Sequence, residues 1–208
     1  MSEKQQYMIE TKRLLLRPFS MSDIDLVRSL YCNEELLRYT PFDVMTNERA
    51  KEHLVKIVQD WEKDPLQSLE FVMIKKPETP HESDEEKVGR CHILIDSDTD
   101  TGMIGWIFCR EYHGRHYARE SGEALIRHCF DVLGLHRVNA FCHPGNHASR
   151  KVLEQCGMRL EAHYRQKCRY TKNGIISWED ELEYARLSSE KAFGEDNDQD
   201  KETDPFLR

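Results

Sequence analysis

The chain has 208 residues, of which 38% are hydrophobic and 33% charged, and its formal net charge is −8. This length fits one domain that can bury a core. The negative charge argues against a general nucleic-acid binder, whose phosphate contacts need clustered Lys and Arg. No segment resembles a signal peptide, and no apolar run reaches the ~20 residues that span a bilayer. The seven cysteines lack a C-x-x-C pair, which is typical of reduced thiols. We therefore expect a cytoplasmic protein without nucleic-acid or membrane partners.

The first third of the chain predicts one strand followed by helices. Residues 11–19 have the pattern of an edge strand that stops at a proline. Ser22 is placed to cap a short helix, and residues 33–39 predict a further helical turn. From about Asn47, apolar residues recur at helical spacing until the chain reaches Pro65.

The middle of the chain predicts strands that enclose one helix. Residues 68–76 and 88–96 are apolar strands joined by a polar loop. The strand at residues 103–109 leads through a glycine turn into an amphipathic helix that closes at Gly134. Residues 136–143 form the next strand. Strand, crossover helix and strand predict a parallel, right-handed pair.

A candidate anion site lies at the turn around Gly114. The first N–H groups of a helix have no acceptor within the helix, and the helix dipole favours negative charge there. Open sheets bind ligands at the carboxyl ends of their strands. The sequence therefore predicts a phosphate site next to Cys109, Gly114 and His143.

The last predicted elements are two long strands around Asn173-Gly174, a strong hairpin signal. A two-residue loop would place Lys167 opposite Asp180 and Arg169 opposite Trp178. After Ser188 the chain becomes acidic and loses its periodicity. We expect one domain over residues 1–188 and a disordered acidic tail over residues 189–208.

Several of these stretches resemble one known family. The run GWIFCREYHGRHYARE is similar to the acyl-CoA signature of the GNAT superfamily of N-acetyltransferases. With ETKRLLLRPFSMSD, LGLHRVNAFCHPGNHASRKVLEQCGM and DELEYARL, the match covers most of Glu10 to Leu187 in order. It resembles the branch with the ribosomal-protein alanine and serine N-acetyltransferases. The resemblance implies a mixed α/β fold, in which a mostly antiparallel sheet flanked by helices has two splayed parallel strands. It also implies acetyl-CoA, bound in the split as cosubstrate, and no metal.

The resemblance further implies which residues bind the cosubstrate. Backbone groups at the end of the first parallel strand would pair with the pantetheine arm, and one N–H would polarise the thioester carbonyl. Gly114 would let the backbone approach the pyrophosphate, which the following N–H groups would cradle and Arg115 would contact. The expected cosubstrate-binding residues are Phe108, Cys109, Gly114, Arg115, His116, Tyr117, Ala118, Asn146 and Ser149.

Asn146 and Ser149 lie three residues apart, hence on one face of a helix. In this branch the matching Asn contacts the CoA arm, and the matching Ser is the proposed catalytic acid that protonates the leaving thiolate. Other members use a Tyr one turn further on, where this chain has Leu153. The alternative is that Asn146 only caps its helix and Ser149 is a small solvated residue.

Two positions depart from the family pattern. His116 stands where a second Gly or an Ala is usual, and a side chain there would crowd the phosphate or force an unfavourable φ. Met103 replaces a Glu that lies near the acceptor amine in relatives. The general base is therefore unassigned, with Glu70, His92 or a chain of waters as candidates.

The histidines near the second strand end have a loosely metal-like spacing. His143 and His147 are four residues apart and Cys142 is adjacent. Pro144-Gly145 breaks any helix between them, and no fourth ligand is evident, so we expect surface histidines and no metal.

The sequence thus predicts an N-acetyltransferase that transfers an acetyl group from acetyl-CoA to a primary amine by direct attack on the thioester. Protein N-termini are the first choice of acceptor and small amines the second. The enzyme would act as a monomer or homodimer. The alternative, motivated by Met103 and His116, is a catalytically degenerate acyl-CoA-binding or sensor protein.

Overall fold

The computed structural model describes residues 7–63, 67–78 and 85–190. Within these ranges, one sheet of eight strands carries helices on both faces. The strands are β1 (Ile9–Glu10), β2 (Leu14–Pro18), β3 (Ser68–Lys75), β4 (Glu86–Asp96), β5 (Thr101–Phe108), β6 (Arg137–Cys142), β7 (Arg159–Lys172) and β8 (Ile175–Leu187). The helices are α1 (Ile24–Tyr31), α2 (Asn47–Asp60), α3 (Tyr117–Arg127) and α4 (His147–Gln155). None of the described helices has the length and apolar character to cross a bilayer.

The sheet has the order β1-β2-β3-β4-β5-β6-β8-β7. Neighbouring strands are antiparallel except β5 and β6, which run parallel as the crossover helix predicts. Their pairing is short: Thr101, Gly102 and Met103 pair with residues 137–139. Beyond Met103 the described parts of the two strands are no longer paired, and a split opens between them. The predicted mixed sheet with two splayed parallel strands is confirmed.

Helices α3 and α4 cover one face of the sheet, hereafter the α3–α4 face. Helix α3 buries Leu125 and Ile126 against the sheet, and its apolar spacing explains this orientation. The helix continues as a π-helical turn over His128–Val132 and stops before Gly134, whose φ of 67° is one that glycine adopts readily.

Helices α1 and α2 cover the opposite face, hereafter the α1–α2 face. Thr46 caps α2 by accepting a hydrogen bond from the backbone N–H of Arg49, and Leu54 and Ile57 are buried beneath it. Two details differ from prediction. Ser20 rather than Ser22 caps the start of this region, with a 3-10 turn before α1. Residues 33–39 form turns instead of a helix.

The edge and hairpin predictions need correction. β1 pairs with β2, so β2 is not the edge strand. In the last hairpin Arg169 does lie opposite Trp178, but a bulge shifts the register between residues 164 and 168, so Lys167 does not lie opposite Asp180. Of the predicted acidic tail, residues 191–208 lie outside the described residues.

Candidate active site

The edge of β5 that faces the split carries free backbone groups. The N–H of Cys109 donates to the carbonyl of Val88 at 2.9 Å, which makes this a hydrogen-bonded pair between β5 and β4. Because hydrogen bonding alternates along an antiparallel strand, the backbone of Phe108 and Trp106 points the other way, towards β6. The side chain of His113 contacts the Phe108 carbonyl at 3.1 Å. Within the described ranges, the N–H groups of Trp106 and Phe108 therefore face the split without a partner strand.

Cys109 is turned away from the split. Its carbonyl accepts a hydrogen bond from the N–H of Tyr112 at 3.0 Å, so both its backbone groups have partners. Its thiol is buried in the α1–α2 core, and burial raises the pKa of the Cys109 thiol. Both backbone groups of Cys109 are therefore occupied within the protein, and its buried thiol is unsuited to nucleophilic attack.

The predicted glycine turn leads directly into α3. Gly114 has a φ of 75°, and an added Cβ would meet nothing within 4 Å. Gly114, Arg115 and His116 are all exposed, and the first two residues of α3 are Tyr117 and Ala118. The unpaired N–H groups at the start of α3 therefore open onto solvent at this turn.

His116 is the last residue before α3 and has a left-handed backbone, with a φ of 63°. This conformation is unfavourable for a residue with a side chain. The unfavourable φ, one of the alternatives expected for a histidine at this position, is thus observed. Its imidazole is exposed beside the turn rather than buried in it.

The negative charge of Glu120, in the first turn of α3, is compensated by hydrogen-bond donors beneath the site. Its carboxylate accepts hydrogen bonds from the Thr11 hydroxyl at 2.6 Å and from the backbone and side chain of Arg13 at 2.7 and 2.6 Å. Burial opposes ionisation, yet these bonds lower the pKa of Glu120 overall. The carboxylate thereby ties α3 to the chain before β2 and adds little repulsion for an anion at the turn.

Asn146 and Ser149 lie at the start of α4, beyond the end of β6. The side chain of Asn146 accepts a hydrogen bond from the backbone N–H of Ser149 at 3.1 Å, so Asn146 does cap the helix. The Ser149 hydroxyl is half-buried and has no hydrogen-bond partner within the described ranges. Leu153, at the position of the tyrosine in other members, faces the core. Ser149 is thus the available hydroxyl in this turn.

A buried polar row runs across three strands on the α1–α2 face. Glu70 pairs with His92, which pairs with Gly105. Arg90 is 6% exposed and lies at 2.9 Å from the carboxylate of Glu70. It also donates to the hydroxyl of Tyr31 and to Nδ1 of His92. Burial, and then the charge of Arg90, lower the pKa of His92 well below its usual range.

A pocket of about 270 Å³ lies next to this row, at the vertex of the split. It is lined by Leu94, Ile95, Asp96, Thr101, Met103 and Asn139. The Nδ2 of Asn139 donates to Glu183 at 3.1 Å, while Oδ1 is buried with no partner in the described part of the chain. Met103, at which the sequence departs from the family pattern, therefore lies in the wall of this pocket.

The connection between α1 and α2 is tied to the last hairpin. Tyr170 donates from its hydroxyl to the carbonyl of Tyr39 at 2.9 Å. Lys172 donates to the carbonyls of Leu37, at 2.8 Å, and Phe42. These bonds fix the position of the connection relative to β7.

Trp106 and His143 have well-defined surroundings. Trp106 packs on the α3–α4 face against Gly122, so it fills core rather than lining the vertex pocket. His143 stacks on Tyr39 and accepts a hydrogen bond at Nδ1 from the N–H of Gly145. No metal-binding group of His, Cys, Asp and Glu occurs among the residues described. The network of Tyr31 and Arg90 was not predicted, because no local motif marks it.

Comparison with known proteins gives the same family as the sequence motifs. Residues 13–159 match the model of the acetyltransferase (GNAT) domain. An uncharacterised N-acetyltransferase, YnaD of Bacillus subtilis, is 31% identical over 88% of this chain and 98% of its own. Ribosomal-protein-S5-alanine acetyltransferase of Vibrio fischeri has a similar structure, with a TM-score of 0.71 at 22% identity over 88% and 97% of the two chains.

A third similar structure is spermidine N-acetyltransferase of Vibrio cholerae in complex with CoA and spermine. It has a TM-score of 0.70 at 17% identity and covers 85% of this chain and 96% of its own. At such identity the likeness supports the fold, while the domain match and YnaD establish the family. The chain belongs to the GNAT acetyltransferase family: it is an N-acetyltransferase whose cosubstrate is acetyl-CoA.

Proposed function

We propose that this enzyme acetylates the α-amino group of protein N-termini, using acetyl-CoA bound in the split between β5 and β6. The observation that carries the proposal is the pair of free N–H groups of Trp106 and Phe108 beyond Met103. An extended ligand with amide groups can pair with such an edge as an added strand does. The pantetheine arm is a ligand of this kind.

The cosubstrate would enter with its pyrophosphate at the glycine turn. Gly114 leaves the turn open, and the N–H groups of residues 115–118 point at the phosphates together with the helix dipole. Arg115 is exposed at the same turn and supplies a positive charge. Asn146 and Ser149 would approach the thiol end from α4, on the other side of the split.

The chemistry is a direct transfer. The neutral amine attacks the thioester carbonyl, and a backbone N–H of β5 stabilises the oxyanion of the tetrahedral intermediate. The C–S bond then breaks, and the Ser149 hydroxyl protonates the thiolate. The amide nitrogen loses its extra proton to solvent, and solvent returns a proton to Ser149. CoA leaves as the free thiol.

Protein N-termini are the preferred acceptors because the sequence resembles the ribosomal-protein branch and one structural neighbour acts on ribosomal protein S5. Small amines come second, since another neighbour is a spermidine N-acetyltransferase. The seven cysteines are free thiols, in agreement with the proposed cytoplasmic location.

The proposal is tested in two steps. Isothermal titration should give saturable binding of acetyl-CoA, and release of CoA should then follow with a panel of N-terminal Ser and Ala peptides and polyamines. We expect turnover with peptides. Binding without turnover across the panel would contradict the proposal and favour the non-catalytic acyl-CoA-binding alternative.

A further inference from the structure

The protonation of His92 is fixed by its neighbour Arg90. A guanidinium group has only donors and does not lose its proton in a protein, so Nδ1 of His92 must accept the hydrogen bond from Arg90. The neutral ring then carries its proton on Nε2. His92 is therefore a hydrogen-bond donor at Nε2, and the nitrogen that a general base would use is occupied.

Arg90 is itself held from two sides. The Glu70 carboxylate lies at 2.9 Å and the Tyr31 hydroxyl accepts a further hydrogen bond, all beneath α1. Burial and the charge of Arg90 both disfavour a second proton on His92. The ring thus stays neutral, with the same nitrogen protonated.

The ring of His92 lies against Gly105 of β5. A Cβ added to Gly105 would fall 2.5 Å from Cε1 and 3.0 Å from Nε2 of His92, so the ring edge rests on the bare backbone of Gly105. Gly105 is two residues beyond Met103, where the parallel pairing ends. His92 is half-buried, and its Nε2 has no partner in the ranges that the structure describes.

We infer that His92 is a specificity-determining residue, which donates a hydrogen bond from Nε2 to the carbonyl oxygen next to the acceptor amine. Every protein N-terminus has such an oxygen, three bonds from its nitrogen, whereas a polyamine has none. The inference rests on the proposed function and deepens it. It explains how one site would select N-terminal residues over amines of similar charge.

The first experiment uses the unmodified enzyme and a matched pair of acceptors. One is a peptide with an N-terminal alanine, and the other has its first peptide bond replaced by a trans alkene, which removes the carbonyl oxygen together with the N–H and keeps the shape. We expect kcat/KM to be about tenfold higher for the peptide. Equal values for the two acceptors would overturn the inference, as would acetylation of polyamines alone.

The second experiment tests the residue. In His92→Ala the ratio of kcat/KM for the peptide to kcat/KM for the alkene should fall to about 1. His92→Gln keeps a donor amide and should retain part of the preference for the peptide. A loss of activity by the same factor for both acceptors would show that His92 acts on the thioester or only on the fold, and would overturn the inference. Should His92→Ala not fold, equal kcat/KM values for the two acceptors with the unmodified enzyme would still overturn the inference.

The two proposals fail in different ways. If the unmodified enzyme binds acetyl-CoA but acetylates nothing, the proposed function is wrong and the inference falls with it. If peptides are acetylated with no preference over the alkene analogue, the proposed function stands and the inference alone is wrong.

Discussion

The carboxylate of Asp23 is completely buried and lies 2.9 Å from Nη1 of Arg17, although Asp23 belongs to the turn before α1 and Arg17 to β2. Lys87, in β4, approaches the same carboxylate at 2.6 Å. The pair and its lysine connect the helical layer to two strands of the sheet. Burial opposes the charge on Asp23, but the hydrogen bonds from Arg17 and Lys87 outweigh it and hold the pKa of this carboxyl well below its usual value.

Asp23→Asn should lower the free energy of unfolding by about 3 kcal/mol at pH 7, because it leaves Arg17 and Lys87 without their buried counter-charge. Urea denaturation measures this. Asp25→Asn is the matched control, since the side chain of Asp25 is 91% exposed, and it should change stability little.

The same pair predicts a pH dependence. The folded pKa of Asp23 lies below the unfolded value of 3.8, so its contribution is complete above that value and is lost as pH falls towards the folded pKa. The stability difference between the wild-type protein and Asp23→Asn should therefore shrink when urea denaturation is repeated from about pH 5 downwards. A difference that stays constant to about pH 2 would contradict this assignment.

His116→Gly should stabilise the protein by about 1 kcal/mol, because glycine adopts the left-handed φ of this position without steric cost. The melting temperature measures the effect. His116→Ala is the control: it removes the imidazole but keeps the backbone conflict, so it should give no gain. Equal stabilisation by both changes would locate the effect in the side chain instead.

Ser149→Ala should lower kcat about 100-fold if its hydroxyl protonates the leaving thiolate. The affinity for acetyl-CoA, measured by titration, should stay within about threefold, since the backbone N–H that Asn146 caps is retained. Ser188→Ala, at an exposed position, serves as control. Unchanged kcat in Ser149→Ala would remove Ser149 from the mechanism.

Lys172→Met should raise KM for the acceptor and leave the affinity for acetyl-CoA unchanged, because Lys172 fixes the connection between α1 and α2 through Leu37 and Phe42. Hydrogen exchange of residues 33–46 should quicken in the variant. Lys51→Met, on the exposed side of α2, should alter neither property. Slower acceptor kinetics without faster exchange would point to a direct contact with the acceptor.

Features encoded by adjacent residues were predicted well. The strand, the glycine turn and α3 follow from apolar spacing and from Gly114 and Gly134, and the parallel pair follows from the crossover helix. Asn146 was recognised as a possible helix cap, and it does cap α4. The glycine turn could be assigned to the candidate site from its local pattern, whereas Asn146 and Ser149 were assigned to it from the family resemblance.

Features that depend on how distant strands align were not predictable. The row of Glu70, His92 and Gly105 exists only because β3, β4 and β5 share one register, and nothing local specifies it. The direction of the Cys109 backbone depends on the same register. The register of Lys167 was predicted wrongly because a bulge forms around Gln166. Gln166 has a positive φ, but no glycine marks this position as a bulge in the sequence.

The brevity of the contact between β5 and β6 has a mechanical consequence. Since these strands pair at only three positions among the described residues, the five strands β1–β5 on one side and β6, β8 and β7 on the other are joined by a narrow seam. A pantetheine arm paired with Trp106 and Phe108 would add further hydrogen bonds along this edge of β5. The bound cosubstrate would then connect the two parts of the sheet. Its binding should therefore make the whole sheet more rigid as well as fill the site.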